Sequence, residues 1–399
     1  MLATTGLQEA PGTACKTAYG GGEGAPVYIT GVGAFLPGER VGNDEMEAYL
    51  GQLPGGCSAV GRRALRWNGI RGRHYALTPD GAWRHTNASM CADAVRAALE
   101  AAELTVADVD CLAAATTQGD LLVPGHASAV HGELGGGGLE IASFQSVCAS
   151  SLMAAKYAWM SVKTGEATCA VAVAGEFSSR WFRPAFYEGG ALVDAKGRLA
   201  MPADFLRFTL SDGAGAVVME QAPRGGDALS LRIDWIDMTS LAGSFDPCMW
   251  AGATSEGRAE PEGAWSRVGA AAAHAAGAIA LQQDFTLLKS VIRAWIGVYL
   301  EKVDAGRIDP TAVDHLLCHY SAQSLREEIV SLLEATGAMI PEQRWFTTLP
   351  ESGNVGSASI WIMLHGLMRS GKVRRGERIL CIVPESGRAM VGFMMLEAV

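Results

Sequence analysis

Two stretches of the chain read as versions of each other: Ala107-Asp-Val-Asp-Cys-Leu-Ala-Ala-Ala115 and Thr311-Ala-Val-Asp-His-Leu-Leu-Cys-His319. Each has a polar start, a Val-Asp step and a short apolar run of the kind that forms a buried strand. Each is followed, 33 and 35 residues on, by a tight turn and a helix of small residues, at Cys148 in the first case and Asn354 in the second. Self-similarity at this separation indicates a duplicated chain. Working outward, apolar runs at Val27–Gly31, Cys169–Ala174, Ala216–Met219 and Ile379–Val383 alternate with helical patterns such as Ala92–Leu104. That alternation predicts an α/β protein whose buried strands are covered by helices. The Pro- and Gly-containing stretch 222–228 is the expected seam, dividing residues 27–222 from 228–399. Residues 1–26, rich in Gly, Ala and Thr and lacking a basic start or an apolar segment, read as a flexible leader.

Composition removes several function classes. The 399 residues are 49% hydrophobic and 19% charged, so the chain carries ample core for two halves. A formal charge of -10 without a dense Lys/Arg cluster argues against a nucleic-acid partner. The longest nearly unbroken apolar stretch, Val268–Leu281, has only 14 residues and contains His274, too short to span a bilayer. Nine dispersed cysteines form no CxxC pair and no His-associated cluster, so no disulfide framework and no metal site is expected. Free thiols at this density suit a reducing cytoplasm.

Three residues gain meaning from the echo. Ile141-Ala-Ser-Phe-Gln-Ser-Val-Cys148 ends an apolar run, and good helix formers continue to Gly165, placing Cys148 where a strand turns into a helix N-terminus. Unpaired N–H groups and the helix dipole favour a thiolate there, which suits a nucleophile; a buried small residue at a tight junction is the plainer alternative. His319 ends the apolar run of the second half, at a strand's carboxyl edge, where open α/β sheets place their sites. A satisfied edge histidine is its plainer alternative, and His315 is left with that reading. Asn354, between Gly353 and Gly356, sits on the turn that corresponds to Cys148. Asn beside Gly is otherwise ordinary turn chemistry.

Cys148, His319 and Asn354, in this order on a duplicated α/β chain, resemble the thiolase-fold condensing enzymes of the β-ketoacyl-acyl carrier protein synthase III group. The similarity extends over most of residues 27–399 and includes Tyr28-Ile-Thr-Gly-Val-Gly-Ala-Phe-Leu-Pro37, Asn68-Gly-Ile-Arg-Gly-Arg-His74, Ala115-Thr-Thr117 and Ser211-Asp-Gly-Ala-Gly-Ala-Val-Val218. The resemblance implies five-layered α/β/α/β/α packing, a homodimer in which Val123 caps the partner's acyl pocket, and no cofactor beyond acyl groups delivered on acyl carrier protein or coenzyme A. It implies that Cys148 is acylated, with its oxyanion held by the N–H groups of Cys148 and Gly387. His319 and Asn354 then stabilise the enolate of a second thioester.

Departures from the family pattern narrow this reading. Pro384-Glu-Ser-Gly-Arg388 replaces a glycine-rich loop. The Trp and Arg that clasp the coenzyme A adenine in the family look displaced in Arg62-Arg-Ala-Leu-Arg-Trp67, which favours an acyl carrier protein donor over free coenzyme A; Arg62, Arg63 and Arg66 would meet such an acidic carrier or form a solvated basic face. Glu176 closes Ala172-Val-Ala-Gly-Glu176 at a strand's carboxyl edge. Malonyl donors form a carbanion by losing carbon dioxide and need no base; a donor that keeps its carboxyl carbon does. Glu176 is thus a candidate base, or an ion-pair partner of Arg180 or Arg183. Glu176, the Pro384–Arg388 loop and the run Asn68-Gly-Ile-Arg-Gly-Arg-His-Tyr-Ala-Leu77 together look like the ketosynthase/cyclases of dialkylresorcinol and stilbene biosynthesis, which implies joining a β-ketoacyl thioester to an α,β-unsaturated acyl thioester with closure to a cyclohexanedione. A decarboxylative starter-unit synthase, a non-condensing acyltransferase and a silent scaffold subunit are the alternatives.

Overall fold

The computed structural model describes residues 24–56 and 59–399, so most of the expected leader lies outside the described residues. The principal strands are β1 (Tyr28–Phe35), β2 (Cys111–Thr116), β3 (Glu140–Gln145), β4 (Cys169–Glu176), β5 (Gly213–Glu220), β6 (Leu231–Ser240), β7 (His315–Cys318), β8 (Arg378–Glu385) and β9 (Met390–Ala398). The principal helices are α1 (Asn87–Ala102), α2 (His126–Leu134), α3 (Ser150–Thr164), α4 (Phe285–Asp304), α5 (Gln323–Ala335) and α6 (Ser359–Arg369). All the strands read from apolar runs are present. The sequence reading passed over β6 and β9, because Arg232, Asp234 and Asp237 interrupt one and no turn signal frames the other.

The duplication is explicit in the sheet. Its order is β7-β8-β9-β6-β1-β5-β4-β2-β3. Read from the central β1/β6 pair outward, each half runs first strand, last strand, next-to-last strand, second strand. In each half the last strand is antiparallel to both neighbours, and the next pair is parallel: β4 with β2, and β8 with β7. Where the first half adds β3, the second has only one parallel bridge, Leu316 to Trp345.

Side-chain alternation builds the layers. In β4, Ala170, Ala172 and Ala174 face an inner core containing α3 and α6, whereas Val171 and Val173 face an outer core with α1 and α2. In the second half, Leu317, Ile379 and Cys381 join the inner core, while Leu316, Leu380 and Phe393 meet α4 and α5. The chain is therefore an α/β/α/β/α stack with two helices buried between two strand layers. Alanine on the inner face of β4 follows from that crowding, because helices from both halves pack there. The same closeness fixes Gly33, where an added Cβ would lie 2.3 Å from the carbonyl oxygen of Ala94 on α1. Helix ends follow local chemistry: Thr86 and Ser89 form a capping box on α1, Asp284 caps α4, and Gly165 stops α3 at φ +83. No described helix is long and apolar enough to cross a membrane.

Candidate active site

The pseudo-symmetry brings two turns together across the inner layer. Cys148 lies three residues after β3 ends at Gln145 and just before α3, whose first residue is Ser150. Asn354 is held from both sides of its peptide, its N–H donating to the Thr209 carbonyl at 3.0 Å and its carbonyl accepting from Ser211 N–H at 2.8 Å. Its Oδ1 accepts from Gly356 N–H at 2.9 Å, which assigns the amide and leaves the NH2 group to donate elsewhere. His319 follows β7 directly, its own N–H donating to the Ile382 carbonyl at 2.9 Å. Cys148, His319 and Asn354 are all buried and line one cavity.

That cavity has two lobes, both reaching Cys148, Asn354 and Met249. The first runs into the amino-terminal half between Phe177, Trp181, Leu210 and Leu281, and contains Glu176. The second runs into the carboxyl-terminal half along one face of α4, Leu288, Val291, Ile292 and Trp295, and contains His319 and Glu385. Two largely apolar lobes thus converge on one thiol, each with a buried carboxylate in its wall.

The electrostatics depart from expectation in one respect. The helix N-terminus was expected to favour a Cys148 thiolate, but burial, followed by the charges of Glu385 and Glu176, pushes the thiol well above its ordinary range, and only its own N–H opposes this. Low dielectric and two nearby carboxylates disfavour another anion. The thiol therefore rests protonated. Burial also lowers the His319 imidazole to about 4, so the ring is neutral at ordinary pH and retains one N–H to donate.

Glu176 is not an ion-pair partner of Arg180 or Arg183. Arg180 instead pairs with Asp120 at 2.5 Å and donates to the carbonyls of Gln118 and Gly119. Glu176 Oε1 accepts from Thr117 Oγ1 at 2.8 Å, Thr117 N–H at 3.1 Å, Ser357 Oγ at 2.6 Å and Ser357 N–H at 3.2 Å. Among the described residues, Oε2 has only a 3.4 Å contact from Thr117 N–H. One oxygen is saturated and the other retains capacity for a proton. Burial raises this carboxyl, opposed by its donors from Ser357 and Thr117.

Other expected residues lie away from the reacting corner. Val123 lines neither lobe in the single chain; it is 80% exposed, on a loop with Leu121 and Leu122 that leads into α2, whose Ala127 N–H donates to Ser143 Oγ on the edge strand β3. Arg63 and Arg66 are exposed, and Arg63 lies 4.7 Å from the ring centroid of Trp67; the Arg62 side chain is outside those described. Gly387 lines neither lobe: Pro384, Glu385 and Ser386 form that wall, while the Gly387 carbonyl accepts from Cys248 N–H at 2.8 Å. His315 is engaged by Glu377 at 2.9 Å.

Sequence reasoning missed Thr117, Ser357 and, above all, Glu385. A signal for Glu385 existed. β4 and β8 are equivalent strands of the duplication, each has eight residues, and each ends in Glu.

The fold is thiolase-like, and its cleft sits where the two halves of the duplication meet. Residues 122–224, containing Cys148 and Glu176, match the β-ketoacyl synthase N-terminal domain, and residues 303–395, containing His319, Asn354 and Glu385, match the C-terminal domain of 3-oxoacyl-[acyl-carrier-protein] synthase III. Among solved structures, AbyA1, a tetronic acid condensing enzyme, is similar at 22% identity and TM-score 0.72, over 93% of this chain and 99% of that one. The 3-oxoacyl-[acyl-carrier-protein] synthase III of Aquifex aeolicus VF5 is similar at 21% identity and TM-score 0.68, over 93% and 99%. Xanthomonas campestris OleA, in a structure with bound lauric acid and lauroyl-CoA, is similar at 18% identity and TM-score 0.70, over 94% and 99%. The chain is a synthase III-like condensing acyltransferase acting on acyl thioesters.

Proposed function

We propose that the protein joins two acyl thioesters without decarboxylation, through an acyl-Cys148 intermediate, with Glu176 as the base. The observation that carries this reading is Glu176 itself, a buried carboxylate with one saturated and one available oxygen in the cavity that also holds Cys148 and Asn354. A malonyl donor would bring a carboxylate into a corner already holding two, at a like-charge cost. A β-ketoacyl donor brings an acidic α-proton instead, and Glu176 takes it. His319 and the Asn354 amide donate to the enolate oxygen, in the manner of an oxyanion hole. Attack on acyl-Cys148 forms the C–C bond and frees the thiol. With an α,β-unsaturated acyl group on Cys148, a second carbanion of the joined product adds to the double bond and closes a cyclohexanedione.

The meeting of two apolar-lined lobes at Cys148 supports two acyl groups reacting there, and the exposed Leu121–Val123 loop together with the sheet edge at β3 supports a homodimer. The exposed Arg63 and Arg66, with Arg62, suit an acidic carrier protein as donor. Buried free cysteines fit a reducing, cytoplasmic setting.

The test supplies wild-type protein with a β-ketoacyl thioester and an unsaturated acyl thioester, with no malonyl donor, and reads product mass. A cyclic product is expected. Stoichiometric release of labelled carbon dioxide from malonyl thioester, with no product from the β-ketoacyl pair, would make it a starter-unit synthase instead.

A further inference from the structure

The duplication pairs the two glutamates more closely than their distance in sequence suggests. Glu176 closes β4 and reaches into the opposite half, accepting from the Ser357 N–H and hydroxyl, three residues after Asn354. Glu385 closes the equivalent strand β8 and also reaches across, accepting from Ala149 N–H at 3.2 Å, one residue after Cys148, and from Ser146 Oγ at 2.7 Å. Each carboxylate therefore serves the turn that carries the other half's reactive residue.

Glu385 is 4% exposed, lines the second lobe together with Cys148 and His319, and has no part in the enolate chemistry assigned to Glu176. Ser146 Oγ donates to one oxygen and Ala149 N–H to the other, and the Val147 N–H also bonds the carboxylate, which still leaves lone-pair capacity for a proton. The titratable groups around this corner are Cys148 from the turn before α3, Glu176 from the end of β4 and His319 from the end of β7. Arg388, three residues on, donates to the Phe245 carbonyl at 2.7 Å.

We propose that Glu385 is the acid–base partner of Cys148 in acyl loading. The S–H proton passes to a Glu385 oxygen as Sγ bonds to the thioester carbonyl carbon. Collapse of the tetrahedral adduct breaks the bond to the carrier sulfur, and Glu385 returns the proton to that departing thiolate. No co-reactant is consumed. This gives a resting thiol that is protected from stray electrophiles and is activated only when a thioester fills the cavity.

The inference shares the acyl-cysteine step with the function proposed above but not the non-decarboxylative chemistry. Glu385→Gln separates it from a merely neighbouring charge. Removing a negative charge beside Cys148 makes the thiolate easier to form, so iodoacetamide alkylation should move to lower pH. If Glu385 carries the proton, acyl loading should nevertheless fall by about 10²–10⁴-fold, the range for a lost general acid–base group. Loading that rises in step with alkylation overturns the proposal. Should the variant show no melting transition, single-turnover loading of the wild type in D2O decides: slower loading is expected, and an unchanged rate overturns it. A wild type that accepts no acyl group from any thioester would refute the proposed function itself, whereas normal loading of Glu385→Gln refutes only this inference.

Discussion

Replacing Glu176 by glutamine perturbs the proposed base while leaving most of its surroundings intact. The glutamine carbonyl can keep the four donors that converge on Oε1, from the backbone and hydroxyls of Thr117 and Ser357. The new NH2 group takes the place of Oε2, which has only the 3.4 Å contact. Hydrogen bonds to a charged acceptor weaken by about 1 kcal/mol each on neutralisation, but a buried charge is removed at the same time, so net stability should change by no more than about 2 kcal/mol. Alanine would be a poor choice. It leaves the buried Ser357 and Thr117 donors unpaired, at about 1–3 kcal/mol for each group. The catalytic loss in Glu176→Gln should be about 10²–10⁴-fold in condensation, or roughly 3–5.5 kcal/mol of barrier. The assay preloads Cys148 from an acyl thioester, adds a β-ketoacyl thioester and follows the acyl-enzyme by intact-protein mass spectrometry. The acyl mass should disappear in the wild type and persist in the variant, with loading itself unchanged. Wild-type condensation by a folded variant would refute the reasoning, because among the described residues no other carboxylate lines that lobe.

His319→Ala and Asn354→Ala should each keep acyl loading and lose condensation by about 10²–10³-fold, as for removal of one oxyanion donor; equal loss of loading, read by the same mass assay, would move them to the first half-reaction. Gly356→Ala should behave like Glu176→Gln, because φ at this position is +50 and an added Cβ would lie 3.0 Å from both Cγ and Oε1 of Glu176; unaltered single-turnover condensation would show that the carboxylate can move freely. The His319 ring, lowered by burial to about 4, should stay uncharged from about pH 8 to about pH 5 in side-chain NMR, assigned by its loss in His319→Ala. The sign follows from linkage: the unfolded chain protonates this histidine first, near 6.5, so its contribution to stability is complete above that pH. It is lost as pH falls toward 4, by up to about 3 kcal/mol. A midpoint near 6.5 in the folded protein would contradict its burial.

Much of this site was legible because β2 and β7 are short, buried on both faces and followed at nearly equal distances by turns that place Cys148 and Asn354. The second glutamate was hidden by packing. β4 must present Ala170, Ala172 and Ala174 to α3 and α6, whereas β8 fills the same layer with Ile379, Cys381 and Val383, so two equivalent strands look unrelated until the sheet order aligns them. The charge state of Cys148 was misjudged for a different reason. A helix N-terminus is visible in sequence, but a carboxylate arriving from residue 385 to accept the Ala149 N–H is not. The alternative pairing of Glu176 with Arg180 failed because Asp120, 56 residues upstream of Glu176, holds that guanidinium instead.

The central claim is that acyl groups pass through Cys148 on their way to a new C–C bond. Intact-protein mass spectrometry of wild type and Cys148→Ala, each incubated with an acyl thioester and then with a β-ketoacyl thioester, tests it most directly. The wild type should gain one acyl mass and lose it as a joined product appears, while Cys148→Ala gains nothing and makes nothing. An acyl mass on Cys148→Ala, or product formed by it at the wild-type rate, would contradict the account.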